Sequence, residues 1–260
     1  MTGRFAELSE ALADGVRQRD GLIGLVLLGS ASDAGAPRRD EWSDHDFFAL
    51  VEPGRGSEIR PDLDWLPDAE HIALTAREGE VGFVVVYDDG HVFEFAFSEA
   101  AELDGSLAGD ATVVVDDDAG TTSTLIAAAR ARAAAADAFD PANDVRLVLV
   151  KLLIGVGRDR RGEVLAAGGF VRSWAVQCLV RAIRGRFADR STTLRDTIDP
   201  LRRFEHDFPE WGARIAEALE ASIEDAARSL LALTREILEP GWEEFPSRAA
   251  DAVAARLGWD

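Results

Sequence analysis

The feature that most restricts this chain is a pair of short apolar runs joined by a polar insert. Residues 22–28 (LIGLVLL) end abruptly at Gly29-Ser30, and residues 47–51 (FFALV) are entered directly from Asp44-His45-Asp46. Apolar runs of this length, bounded by breakers such as Gly35 and Pro37, read as buried strands. Asp44 and Asp46 are separated by one residue, so on a strand their side chains share a face. A carboxylate entering an apolar strand needs a partner, because an isolated charge there is costly or changes its protonation. Two acids at a strand mouth are a natural seat for a hard divalent cation, which prefers oxygen ligands. Gly29-Ser30, at the end of the neighbouring run, offers backbone N–H groups and a hydroxyl to an anion.

Composition bounds the rest. The chain has 260 residues, 47% of them hydrophobic, enough for one large domain or two of ordinary size. A net charge of −20 argues against a nucleic-acid partner held through its phosphates. The same charge suits a cationic partner or simple solubility. Lys151 is the only lysine, and with abundant Ala and Gly that skew speaks of genome composition rather than function. The single cysteine, Cys178, excludes an intramolecular disulfide, and four scattered histidines do not make a zinc cluster. There is no signal-peptide pattern and no membrane-length apolar run, so a cytoplasmic protein without a membrane partner is expected.

In chain order, residues 4–18 read as a helix with Phe5, Leu8, Leu12 and Val16 on one stripe. Breakers mark a loop at 52–56, and 59–66 reads as a short helix or irregular segment. Residues 82–87 form a strand, Asp88-Asp89-Gly90 a hairpin turn, and 91–98 the return strand. On that strand Phe93, Phe95 and Phe97 share one face, while Val92, Glu94 and Ala96 share the other. Glu94 is a lone carboxylate in a strand otherwise this apolar, and water alone explains it poorly. A further strand at 111–115 ends in Asp116-Asp117-Asp118, read as a solvated turn. From 123 onward the pattern is helical: 123–138, 143–157 around Lys151, a third to about 183, then about 197–206, 210–237 and 247–257. Trp174, Trp211 and Trp242 read as core or interdomain residues. The fold class is therefore α+β: a small mixed-sheet domain, 1–120, followed by an all-helical bundle domain, 121–260.

The ordered set LVLLGS, ASDAGAPRRDEWS, Asp44-x-Asp46 and a strand-borne Glu94 resembles the nucleotidyltransferase superfamily of the DNA polymerase β type. A small sheet domain followed by helices is similar to bacterial aminoglycoside and related antibiotic nucleotidyltransferases. The resemblance implies that Asp44 and Asp46 hold two Mg²⁺ ions and that Glu94 completes the metal site or acts as base. It places the β- and γ-phosphates of ATP on Gly29 and Ser30. Many relatives carry a basic or aromatic residue after Gly-Ser; here Ala31 stands there, so phosphate contacts are expected to fall to Arg38 or Arg39, or to be weaker. Lys151, on an otherwise apolar helix, either reaches the triphosphate or snorkels its ammonium to water. The implied reaction transfers AMP to a hydroxyl of a small cationic molecule such as an aminoglycoside and releases pyrophosphate, with antibiotic resistance as the role. The alternative is a non-catalytic nucleotide-binding regulator or antitoxin-like protein of the same fold; three acids kept in order favour the enzyme.

Overall fold

In the computed structural model, which describes residues 2–136, 139–191, 196 and 198–259, the chain divides into two compact units, Met1–Ala135 and Ala136–Asp260. The first is built on six strands: β1 (Leu22–Leu28), β2 (His45–Val51), β3 (Ile72–Glu78), β4 (Gly82–Tyr87), β5 (Val92–Glu99) and β6 (Ala111–Val115). They form one sheet in the order β3-β4-β5-β2-β1-β6. All neighbouring pairs are antiparallel except β2 and β5, which run parallel. The sheet is therefore mixed, and its parallel pair lies at its centre.

Strand alternation sorts the side chains onto two faces. On one face Leu25, Leu27, Phe47, Ala49, Phe83, Val85, Phe93, Phe95 and Phe97 bury against helix α1 (Thr2–Gln18), which supplies Phe5, Leu8, Leu12 and Val16. Phe95 lies in register with both Phe47 and Phe83. Its ring stacks on theirs at centroid distances of 4.6 and 5.4 Å, an aromatic ladder across three strands. A short helix α2 (Gly56–Ile59) and Trp65 close the end of that core. On the other face, Val26 and Ala111 bury against Ile126 and Ala129 of helix α3 (Thr121–Ala136). The first unit thus extends past the boundary expected at 120, because α3 covers the sheet. Asp116 fixes its start by accepting from the backbone N–H groups of Thr122 and Ser123, so the acid run is a helix cap.

One strand escaped the sequence reading. β3 is an edge strand whose residues from Ala73 onward are exposed, so it carries no hydrophobic alternation to betray it.

The second unit is helical: α4 (Pro141–Asp159), α5 (Val164–Gly168), α6 (Val176–Arg186), α7 (Phe204–Asp207), α8 (Pro209–Leu219), α9 (Ile223–Leu238) and α10 (Ser247–Leu257). A π-helical turn, Gly169–Ala175, joins α5 to α6. The helix expected at 210–237 is two helices, because Ser222 interrupts it and caps α9 by accepting from Asp225 N. Of the helix expected at about 197–206, the described part is helical only over α7; residue 197 lies outside the described residues. Val148, Leu152, Leu179, Ile183, Ala226 and Leu230 lie in one fully buried cluster. Trp211 and Trp242 pack on it, whereas Trp174 is 47% exposed. Among the described residues no helix is long and apolar enough to cross a membrane.

Candidate functional site

The parallel pairing of β2 with β5 puts Asp46 directly opposite Glu94. Asp44 precedes β2 by one residue and shares Asp46's side of the chain. One carboxylate oxygen from each of Asp44, Asp46 and Glu94 lies within 4.8 Å of the others. Asp44 and Asp46 are half-buried and Glu94 is exposed. Oxygen donors about 2.0–2.6 Å from a shared ion fall within such a span, and an all-carboxylate set suits Mg²⁺ or Mn²⁺ over softer metals. The residues therefore fit the divalent cation that the resemblance implies. Partial burial, followed by the Glu78 and Asp44 carboxylates, holds the Glu94 pKa above the ordinary range. An added cation would relieve that repulsion.

The turn after β1 is built around these acids. Gly29 has φ +49°, a left-handed conformation, and a Cβ there would stand 3.2 Å from Asp46 Oδ2. Gly35 is required for a different reason: a Cβ would meet the Gly29 carbonyl oxygen at 1.8 Å. Ser32 Oγ donates to that same carbonyl at 2.8 Å. Ser30 Oγ donates to the Asp44 carbonyl at 3.1 Å, which ties the turn to the first acid. The expected anion contacts are placed as follows. Gly29 N–H donates to the Asp110 carbonyl at 2.9 Å. Arg39 donates from Nε and Nη2 to the Ser30 carbonyl, both at 3.0 Å, and lies 4.0 Å above the Phe5 ring. Arg38 pairs with the Asp110 carboxylate. Both arginines, like the Gly29 N–H, therefore hold the loop in shape. Asp110 and Ser32 were missed from sequence, since no local pattern marks Asp110 as the partner of Gly29 and Arg38, or Ser32 as the donor to the Gly29 carbonyl.

Asp44 and Asp46 flank His45, which faces the opposite side and is fully buried. Its ring stacks on Phe5 at 3.7 Å. Ser9 Oγ donates to the Phe5 carbonyl at 3.0 Å, which leaves it to accept from His45 Nε2 at 2.9 Å. His45 Nδ1 then accepts from His91 Nε2–H at 2.7 Å, a tautomer assignment that follows from the network. Burial, with His91 second, depresses the His45 pKa to about 3. Partial burial also lowers that of His91, so both rings are neutral near pH 7. His45 is structural, as its alternation predicts. Lys151 lies in the helical unit, where its ammonium stands 5.5 Å from the Phe170 ring and 5.2 Å from that of Trp174.

No protein-family model and no curated protein matches the chain. Among solved structures it is similar to an aminoglycoside 6-adenyltransferase from Bacillus subtilis, at 12% identity and a TM-score of 0.32. The match covers 98% of this chain and 92% of that one.

Proposed function

We propose that this protein is a divalent-metal-dependent nucleotidyltransferase, moving AMP from ATP to a hydroxyl of a small molecule. The observation that carries the reading is the direct opposition of Asp46 and Glu94 on parallel strands, with Asp44 completing a three-carboxylate cluster. Asp44, Asp46 and Glu94 would hold two Mg²⁺ ions, whose chemistry is to neutralise phosphate charge and lower the pKa of a bound hydroxyl. The glycine turn keeps Gly29 free of a side chain beside Asp46, leaving room for a phosphate. Ser30 is the hydroxyl of that turn, and Arg39 positions it through its carbonyl rather than touching substrate. Glu94, the most exposed of the three acids and with a pKa held above the ordinary range, is suited to take the acceptor proton. In the reaction the acceptor oxygen bonds to the α-phosphorus, the α–β bridging bond breaks, and pyrophosphate leaves. Positioning and charge neutralisation would supply most of the rate.

The test is pyrophosphate release from ATP and Mg²⁺ across a panel of hydroxylic amines, including aminoglycosides, with Asp46→Ala as control. Acceptor-dependent release that the variant loses supports the enzyme. ATP binding without release for any acceptor supports the regulator of the same fold. Release that Asp46→Ala retains in full removes the site assignment.

A further inference from the structure

Strand pairing carries the face that holds the acids well beyond Glu94. Glu94 lies in register with Val84 of β4, and Val84 with Ala76 of β3. Asp46, Glu94, Val84 and Ala76 therefore form one row across the sheet. Glu78 stands two residues after Ala76, so its side chain belongs to the same face. Its own row runs through Gly82 to Ala96, beside the row of Glu94. Glu78 and Glu94 are thus diagonal across β4, and Gly82, one of the two β4 positions between them, has no side chain. A Cβ at Gly82 would stand 2.4 Å from the Glu78 carbonyl oxygen and 3.1 Å from Glu78 Cβ. Glycine there leaves both long side chains a path over β4.

A charge on an exposed edge strand commonly discourages pairing with another strand. Arg77 fits that description. It is in register with Phe83 on the opposite face, its guanidinium 4.8 Å from that ring and donating to the Glu80 carbonyl at 2.5 Å. Glu78 differs in what it faces. Of the two carboxylates that hold the Glu94 pKa up, Glu78 comes ahead of Asp44, whose oxygen lies within 4.8 Å of that of Glu94. Among the described residues no ion pair joins Glu78 or Glu94 to an arginine, lysine or histidine. Two strands thus bring two carboxylates together with no protein cation between them. A hard divalent cation, the ion that suits the neighbouring acids, relieves that repulsion.

We propose that Glu78 is a fourth carboxylate of the metal site and, together with Glu94, holds one of its divalent cations. The assignment rests on reading Asp44, Asp46 and Glu94 as that site. The acids then come from three places: the mouth of β2, the middle of β5 and the end of β3. The site extends along the sheet to the hairpin between β3 and β4, and Gly82 is part of how it is built.

Mn²⁺, a hard ion whose free form is counted directly by electron paramagnetic resonance, is the probe. It is titrated into the full chain as wild type, Glu78→Gln, Glu78→Asp, Glu80→Gln and Asp46→Ala. Glu78 and Glu80 are exposed, so changes there should leave the fold intact, which circular dichroism checks. Glu78→Gln should weaken Mn²⁺ binding about tenfold or more, the scale of losing a group that supports a metal site. Glu78→Asp keeps the charge but shortens its reach, and should weaken binding too. Glu80→Gln removes a neighbouring charge that faces Arg60 instead, and should leave binding unchanged. The proposal is overturned if either Glu78 variant binds as wild type does, or if Glu80→Gln weakens binding as much as Glu78→Gln. Any of these results, with wild-type binding that needs Asp46, removes Glu78 and keeps the three-acid site. If wild type binds no Mn²⁺, or Asp46→Ala binds it equally well, the metal-site reading itself fails and the Glu78 assignment falls with it.

Discussion

In the helical unit, the buried Arg184 and Asp144 are matched by opposite charge; at the mouth of β2 in the sheet unit, three carboxylates are drawn together. Arg184 is fully buried, and it donates to Asp207 Oδ2 at 2.5 Å and to the Pro200 carbonyl at 2.8 Å. Asp144, also buried, meets Arg181 at 3.2 Å. The sheet unit instead converges Asp44, Asp46 and Glu94 within 4.8 Å, and partial burial, followed by the Glu78 and Asp44 carboxylates, holds the pKa of Glu94 up. The first arrangement is costly to break, since removing one partner strands a buried charge. The second is costly to keep, and a fold retains such a cluster for what it binds. The contrast separates a buried opposite-charge pair, which holds its unit together, from a like-charge cluster, which costs its unit stability.

The largest effect expected is on turnover. Asp46→Ala should lower nucleotidyl transfer on the order of a thousandfold, the scale of removing one preorganised electrostatic partner. Its melting temperature should stay near that of wild type. A variant that melts well below wild type would make Asp46 a structural residue and break the comparison from the sheet side. Next is the helical side: Asp207→Ala should lose about 3–5 kcal/mol in urea denaturation. A loss under about 1 kcal/mol would show that the buried pair does not hold this unit.

Acid should act on the two units at different pH. His45 keeps its neutral form in the fold down to about pH 3, whereas in the unfolded chain it takes a proton near 6.5. The fold's stability is therefore complete above about pH 6.5 and falls as pH drops toward 3. In the helical unit Glu224 is held down to about 2 by the Arg160 guanidinium first, with the Trp259 indole adding to it. Its loss begins only below about 4.5, the ordinary glutamate value. Hydrogen-exchange protection factors at pH 7 and pH 5 should thus fall in peptides of α1, β2 and β5 before those of α9. Equal loss in both would remove the distinction.

The smallest effect is linked to the metal. A carboxylate with a raised pKa holds its proton to higher pH in the fold than in the unfolded chain, so it lowers stability as pH rises through the carboxylate range. Glu94→Gln should flatten that slope and, without divalent ions, gain less than about 1 kcal/mol, since the group is exposed. Mg²⁺ should raise the melting temperature of wild type by a few degrees and that of Glu94→Gln by less. An equal rise in both would take Glu94 out of the metal site.

Much of this was legible in the residues alone, where chemistry is local. The alternation of Asp44 and Asp46 about His45 assigns two acids to one face and the histidine to the other. Phe93, Phe95 and Phe97 announce the buried face of β5, and the Gly29-Ser30 break announces the end of β1. Caps were less visible: Ser222 divides a helix that the apolar pattern runs straight through, because a single side-chain-to-backbone bond outweighs periodicity there. The exposed edge strand β3 left no pattern at all.

What only the tertiary structure decided is register and company. Nothing in the sequence states that β5 pairs parallel with β2, yet that pairing sets Glu94 against Asp46 rather than two residues away. Nor could it show that Arg39 would be held by a backbone carbonyl and a phenylalanine ring, or that α3 would close the back of the sheet. Alternation, breaks and caps act between neighbours in the chain; strand pairing and cavities join residues dozens of positions apart, and only the folded backbone specifies those partners.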